Sequence, residues 1–212
     1  MVSHRLHILH LAAKTDSDKV NKVAEQRLKN LLIELDNQNI TDFTIVEGFY
    51  DPVNTKQAIQ RGHKLIARLA KEQNMPMVFI GEDDLVFTAK GAWQYFISQV
   101  PDDFDFFTAL IYAGEVDETN RIRNGMSGTH TLYVLNQRFY DVVLNQPDDV
   151  HCDRNLGQLA YQYKYYVCHK MCITQRGGYS FNLKKQMTYE PYIEGKNMFH
   201  GCEGQNQCTH HS

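Results

Sequence analysis

The stretch Met77-Val78-Phe79-Ile80-Gly81-Glu82-Asp83-Asp84 joins four apolar residues in a row to three successive carboxylates. An unbroken apolar run of that length suits a strand buried on both faces of a parallel sheet. Gly81 and the acidic triplet form its exit, and a second apolar pair, Val86-Phe87, follows at once. The triplet therefore stands where the chain leaves the interior. Unpaired carboxylates are costly in such a place unless a cation or hydrogen-bond donors compensate them. Hard oxygen ligands of this kind suit Mg2+ or Mn2+. A solvated acidic turn, or an N-cap for a following helix, is the alternative.

Outward from that strand the pattern alternates. His7 to Ala12 reads as a first strand, followed by a loop at Lys14-Thr15-Asp16-Ser17-Asp18 that holds N-cap candidates. Val20, Val23, Ala24, Leu28, Leu31, Leu32 and Leu35 then recur at three- and four-residue spacing, the stripe of an amphipathic helix. Phe43 to Val46 is a second strand. Thr55 to Gln73 returns to helical spacing and is stopped by Asn74-Met75-Pro76. Beyond the acidic triplet come a helix around Lys90 to Gln99, a buried strand at Phe104 to Tyr112 and a polar loop from Gly114 to Gly125. After Gly128 the order loosens: Thr131 to Leu135 reads as strand, Arg138 to Leu144 and Asp153 to Tyr161 as short helices, and Tyr165 to His169 as strand. From Gly177 onward the chain reads as loops. Alternating strands and helices predict an α/β fold, a three-layer α/β/α sandwich around a mostly parallel sheet with right-handed crossovers. Ligands of such sheets collect at the carboxyl ends of the strands.

Composition bounds the function. The chain has 212 residues, 22 Lys+Arg against 25 Asp+Glu, a net charge of -3 and 42% apolar residues, which excludes fibrous, collagenous and wholly disordered classes. It also lacks the positive excess of a general nucleic-acid binder. Five cysteines without a Cys-x-x-Cys pair predict free thiols and a reducing, cytoplasmic setting. No apolar run approaches the ~20 residues of a membrane span. Cys202, Cys208, His210 and His211 could assemble a zinc site on paper, but their Gly-, Gln- and Asn-rich surroundings give it no scaffold.

The acidic triplet after Met77-Val78-Phe79-Ile80 resembles the aspartate-x-aspartate motif of A-type-fold glycosyltransferases, in the Glu-Asp-Asp form of the family-25 group. His7 to Leu11, Glu47-Gly48-Phe49-Tyr50-Asp51 and the helix bearing Arg61-Gly62-His63 are similar to the nucleotide-binding half of those enzymes. Ser127 to Leu135 with Phe139-Tyr140, then His151-Cys152-Asp153-Arg154, then Gln175 to Ser180, resemble small glycosyltransferases of bacteria, phages and large DNA viruses. The resemblance runs in order from about His7 to Ser180.

It implies one glycosyltransferase domain over residues 1–200, with a nucleotide-sugar-binding half at 1–112, an acceptor-side half at 113–200, and a tail at 201–212 open to disorder. It implies a nucleotide-diphosphate sugar donor, commonly a UDP-sugar, a glycan or glycoprotein acceptor, and Mn2+ or Mg2+ bridging the donor phosphates. By position, Asp84 ligates the cation, Glu82 approaches the ribose or the metal, and Asp83 is the variable member. His10 and Leu11 fall at the nucleotide-binding start. His200 is a candidate third metal ligand, or simply an exposed histidine. Asp153 is the candidate acceptor-side carboxylate, or an N-cap paired with Arg154, and His151 could take its place. Lys14, Arg61 and Lys64 are candidate diphosphate contacts, or ordinary surface charge. Ser127-Gly128 reads as a backbone surface for sugar or as a turn, and Tyr161, Tyr163, Tyr165 and Tyr166 as a sugar-stacking group or as packing. A phosphoester hydrolase is the enzymatic alternative, though the Asp-x-Asp-x-Thr nucleophile pattern is absent. A non-catalytic nucleotide-sugar-binding module is the third reading.

Overall fold

The computed structural model describes residues 4–11, 14–149 and 151–201. In chain order the elements are β1 (Leu6–His10), α1 (Asp18–Asn37), β2 (Phe43–Glu47), α2 (Thr55–Glu72), β3 (Met77–Glu82), β4 (Leu85–Phe87), α3 (Ala92–Ser98), β5 (Phe106–Thr108), β6 (Ala113–Val116) and β7 (Ile122–Ser127). They continue with β8 (Leu132–Asn136), a 3-10 turn, α4 (Tyr140–Leu144), α5 (Cys152–Gly157), β9 (Tyr165–Val167), β10 (Ile173–Gln175), β11 (Gly178–Ser180), β12 (Lys185–Met187) and α6 (Glu190–Ile193).

Six strands form the central sheet in the order β2-β1-β3-β8-β5-β9. β1 runs parallel to both β2 and β3, and β5 runs parallel to β9. β8 lies antiparallel between β3 and β5, so one strand of six opposes the rest. Side chains alternate across the sheet and divide the core in two. Ile8, Phe79, Phe107 and Val134 meet α1 and α3 through Leu31, Leu35, Trp93 and Phe96. Leu9, Val78, Ile80, Phe106, Tyr133 and Leu135 meet α2, α4 and α5 through Ile66, Ala70, Tyr140 and Leu156. This is the three-layer α/β/α arrangement, and burying each large apolar side chain contributes about 1.5–3 kcal/mol.

The helices end for readable reasons. Ser17 Oγ accepts from the Val20 amide at 3.4 Å and caps α1. After α2, Asn74 takes a left-handed conformation (φ 52°) just before Pro76. Gly62 in α2 faces the Leu9 side chain so closely that a Cβ would stand 2.8 Å away, which lets this helix lie directly on β1.

Four sequence expectations are corrected. The predicted strand from Phe104 to Tyr112 shortens to β5, because Thr108 Oγ1 donates to Thr129 O at 2.6 Å and the chain leaves the ladder there, although Ala109, Leu110 and Ile111 remain buried. The polar loop at Gly114 to Gly125 is instead the β6–β7 hairpin; β6 is exposed throughout, so no apolar alternation marked it. The helix predicted over Asp153 to Tyr161 spans Cys152–Gly157, where Gly157 packs on the Met126 backbone. Beyond Gly177, where loops were expected, β11 and β12 pair as a hairpin and α6 follows. Among the described residues no helix is long and apolar enough to cross a membrane. Cys152, Cys168 and Cys172 are free thiols, while Cys202, Cys208, His210 and His211 lie outside the described residues.

Candidate functional site

The carboxyl ends of β1 and β3, the turn before β8, the start of α5 and the β11–β12 hairpin surround a cleft of about 370 Å³. Glu82 and Asp84 are in its wall; Asp83 is not, and lies beneath them. All three acidic side chains are buried, with Asp83 only 1% exposed. At the end of a buried strand they keep little contact with water, and each is held by a partner from another element.

Glu82 Oε1 lies 3.1 Å from His63 Nε2, and His63 Nδ1 lies 2.8 Å from the Tyr133 hydroxyl. An Nε2–H donates to Glu82 when Nδ1 accepts from the Tyr133 hydroxyl, so His63 links the carboxylate to Tyr133. Asp83 Oδ2 lies 2.7 Å from His10 Nδ1. Arg27, projecting from α1, stands between the two aspartates: Nη1 is 3.1 Å from Asp83 Oδ1 and Nη2 donates to Asp84 Oδ2 at 2.5 Å. Gln175 reaches the same Asp84 oxygen at 3.4 Å, and the Arg176 amide donates to the Asp84 carbonyl at 2.6 Å. The Phe181 ring lies 5.5 Å from the Arg27 guanidinium.

One guanidinium thus faces three carboxylates. Burial works against the charge on Arg27, but Asp83, Asp84 and Glu82 outweigh it and hold the group protonated more firmly than usual. Asp84 is pushed up to about 7: burial is the main cause, Glu82 and Asp83 add to it, and Arg27 and Gln175 pull the other way. Two fully buried carboxylate oxygens of the triplet make no hydrogen bond, Asp84 Oδ1 and Asp83 Oδ1, the latter facing Arg27 out of line. Residual negative charge and an unpartnered oxygen on Asp84, in the cleft wall, fit a divalent cation whose remaining ligands come from a bound anion. Among the described residues no set of three or more His, Cys, Asp or Glu side chains could hold a metal by itself.

The other sequence candidates divide. Leu11, His151 and Asp153 line the cleft with Glu82 and Asp84, and His10 braces Asp83 below it. Asp153 Oδ2 accepts from the Gly128 amide at 2.9 Å, and Oδ1 accepts from the Arg154 amide at 2.8 Å. Burial lowers the His151 imidazole below its ordinary range, although Asp153 opposes that shift. Lys14, Arg61 and Lys64 do not reach the wall. Lys14 pairs with Glu47 at 2.9 Å, Arg61 sits 4.6 Å over the Phe49 ring, and Lys64 bonds Asp148 and the Gln146 carbonyl. His200 is exposed, follows Phe199, which stacks on Tyr95 at 4.5 Å, and does not line the cleft. Of Tyr161, Tyr163, Tyr165 and Tyr166 none lines the cleft, and Tyr165 is fully buried.

Arg27, His63, His130, Tyr112, Tyr189 and Tyr192 were missed as site residues by the sequence reading. Arg27 had a visible signal: it falls three residues after Ala24 and four before Leu31, so it is a charge inside the apolar stripe of α1. His130 lines the cleft with its imidazole held neutral by burial and by neighbouring His63. The tyrosines had no such mark, because Tyr112 comes from the loop after β5 and Tyr189 and Tyr192 from the segment around α6, far apart in the chain.

No protein-family model matches the chain, and no curated protein matches it. Among solved structures it is similar to HddC from Yersinia pseudotuberculosis complexed with GMP-PN, at 10% identity and a TM-score of 0.41, over 78% of this chain and 89% of that one. HddC crystallised alone gives 11% and 0.42 over the same shares. A glycosyltransferase involved in the glycosylation of the major capsid of PBCV-1 is similar at 12% identity and a TM-score of 0.48, over 84% of this chain and 96% of that one.

Proposed function

We propose that the protein is a glycosyltransferase that moves a hexose-type sugar from a nucleotide-diphosphate sugar, with UDP as the nucleotide, to a hydroxyl of a glycan or glycoprotein acceptor, with Mn2+ or Mg2+ as its cofactor. The observation that carries this reading is the under-compensated acidic triplet at the end of β3, two members of which, Glu82 and Asp84, stand in the wall of a cleft of about 370 Å³, a size within the range of small-molecule sites. A bound cation would be held by Asp84 and Glu82 and would supply Lewis-acid stabilisation of the departing diphosphate.

The chain's own residues do the rest. Arg27 keeps a fixed positive charge in the cleft wall beside Asp84, the kind of group that offsets negative charge on a departing diphosphate. His63, itself held by the Tyr133 hydroxyl, anchors one oxygen of the Glu82 carboxylate. Asp153 presents a carboxylate anchored by two backbone amides, placed to take or orient the proton of the acceptor hydroxyl. The imidazole of His151 beside it is kept neutral by burial and can accept a proton as well.

The test is turnover of UDP-sugars with Mn2+. UDP release that disappears with EDTA and with Asp84→Ala supports the reading. Cleavage of simple phosphodiesters at a comparable rate would instead favour a hydrolase, and UDP binding without release would favour a binding module.

A further inference from the structure

The transfer reading makes no use of an aromatic wall on one side of the cleft. Tyr112, Tyr189 and Tyr192 all line it. The Tyr112 and Tyr189 rings stack with centroids 5.9 Å apart and planes 14° apart, and Tyr192 leans on Tyr112 at 5.2 Å. No residue of α6 is buried, and Tyr192 is 47% exposed. α6 packs on the core through the half-buried Ile193 and carries the Tyr192 ring onto this stack, in the lining of the cleft.

Gly128 joins the wall to a carboxylate. Its φ is +67°, and a Cβ built there would stand 2.0 Å from the Tyr112 ring. Its amide donates to Asp153 Oδ2. Only a residue without a side chain lets the Tyr112 ring lie against the backbone whose amide holds Asp153. Flat aromatic faces pack on C–H surfaces, and a carboxylate accepts hydroxyl hydrogens in pairs. A pyranose ring has both features, an apolar face and a rim of hydroxyls. A nucleobase has the flat face but few donors for a carboxylate, and a uracil has one ring N–H.

We propose that Tyr112, Tyr189, Tyr192 and Asp153 form the acceptor subsite, and that the acceptor is a carbohydrate presenting a pyranose ring there. This deepens the transferase reading and rests on it. The probes are methyl glycosides of glucose, galactose, mannose and N-acetylglucosamine, measured by saturation-transfer NMR, with UDP measured in parallel. At least one glycoside should bind, with saturation strongest on the protons of one ring face. Tyr192→Ala should weaken it about threefold to tenfold, the range for one aromatic contact, and Tyr192→Phe should retain it. Because Tyr192 is half exposed, both variants should fold. Absence of binding by every glycoside, or equal binding by wild type and Tyr192→Ala, overturns the proposal. So does selective loss of UDP in Tyr192→Ala, which would give the wall to the nucleobase. Glycoside binding without any UDP binding would sink the transferase reading and leave the carbohydrate subsite standing.

Discussion

A single side chain, Arg27, decides whether the acidic triplet is tolerable inside the fold. Removing one partner of a buried ionic cluster leaves the others uncompensated, at a cost of about 3–5 kcal/mol. Arg27→Met should therefore lower the free energy of urea unfolding by about that amount, while the exposed Arg61→Met should change it by under about 0.5 kcal/mol. Asp84 gives a second prediction, with a definite sign. Its folded value near 7 lies above the ordinary 3.8, so the native state holds its proton more tightly than the unfolded chain. The stabilisation is complete below about pH 4 and is lost as pH rises through 7, with an upper bound of about 4 kcal/mol. In EDTA, wild type should lose stability between pH 5 and pH 8 more steeply than Asp84→Asn; parallel profiles would contradict the assignment. These residues also show what could be read in advance. The triplet announced itself by following an apolar strand, and Arg27 by interrupting an apolar stripe. His63 and Tyr133, 70 residues apart, carried no local sign of their hydrogen bond.

At the scale of elements, the β7–β8 turn carries the sharpest constraint. Gly128 and Gly125 both have positive φ, but a Cβ at Gly125 meets open space whereas one at Gly128 meets Tyr112. Gly125→Ala should cost about 1–2 kcal/mol, the ordinary left-handed penalty. Gly128→Ala should cost more, about 2–4 kcal/mol, and should also displace Tyr112 from the wall. Thermal unfolding of the two variants compares them directly. Long periodic elements such as α1 and α2 were legible to within a few residues, because burial of one stripe imposes their spacing. β6, β11 and β12 were not, since short paired strands that bury no residue need no apolar alternation. The antiparallel direction of β8 was also hidden: Leu132–Asn136 is as apolar as a parallel strand because both its faces are covered.

For the whole molecule, the cation and nucleotide readings make one joint prediction. A ligand stabilises according to its occupancy of the native state, so UDP should raise the melting temperature much more with Mn2+ present than in EDTA. Equal shifts would mean that no metal lies between the Asp84 side chain and the diphosphate. The cleft itself could be placed from sequence, because the acidic triplet ends a strand and such sheets collect ligands there. Its aromatic side could not, because Tyr112, Tyr189 and Tyr192 come together only once the carboxyl-terminal segments have packed.

The antiparallel β8 has a consequence for how the chain acquires its shape during synthesis. β3 pairs on one side with β1, which is made before it, and on the other with Leu132–Asn136, made some 50 residues later. Until that segment leaves the ribosome, one flank of the buried, largely apolar β3 has no neighbour, and β5 lacks its β8 partner. A nascent chain stalled near residue 112 would thus present an open, sticky ladder, the kind of surface on which chaperones act and aggregates begin.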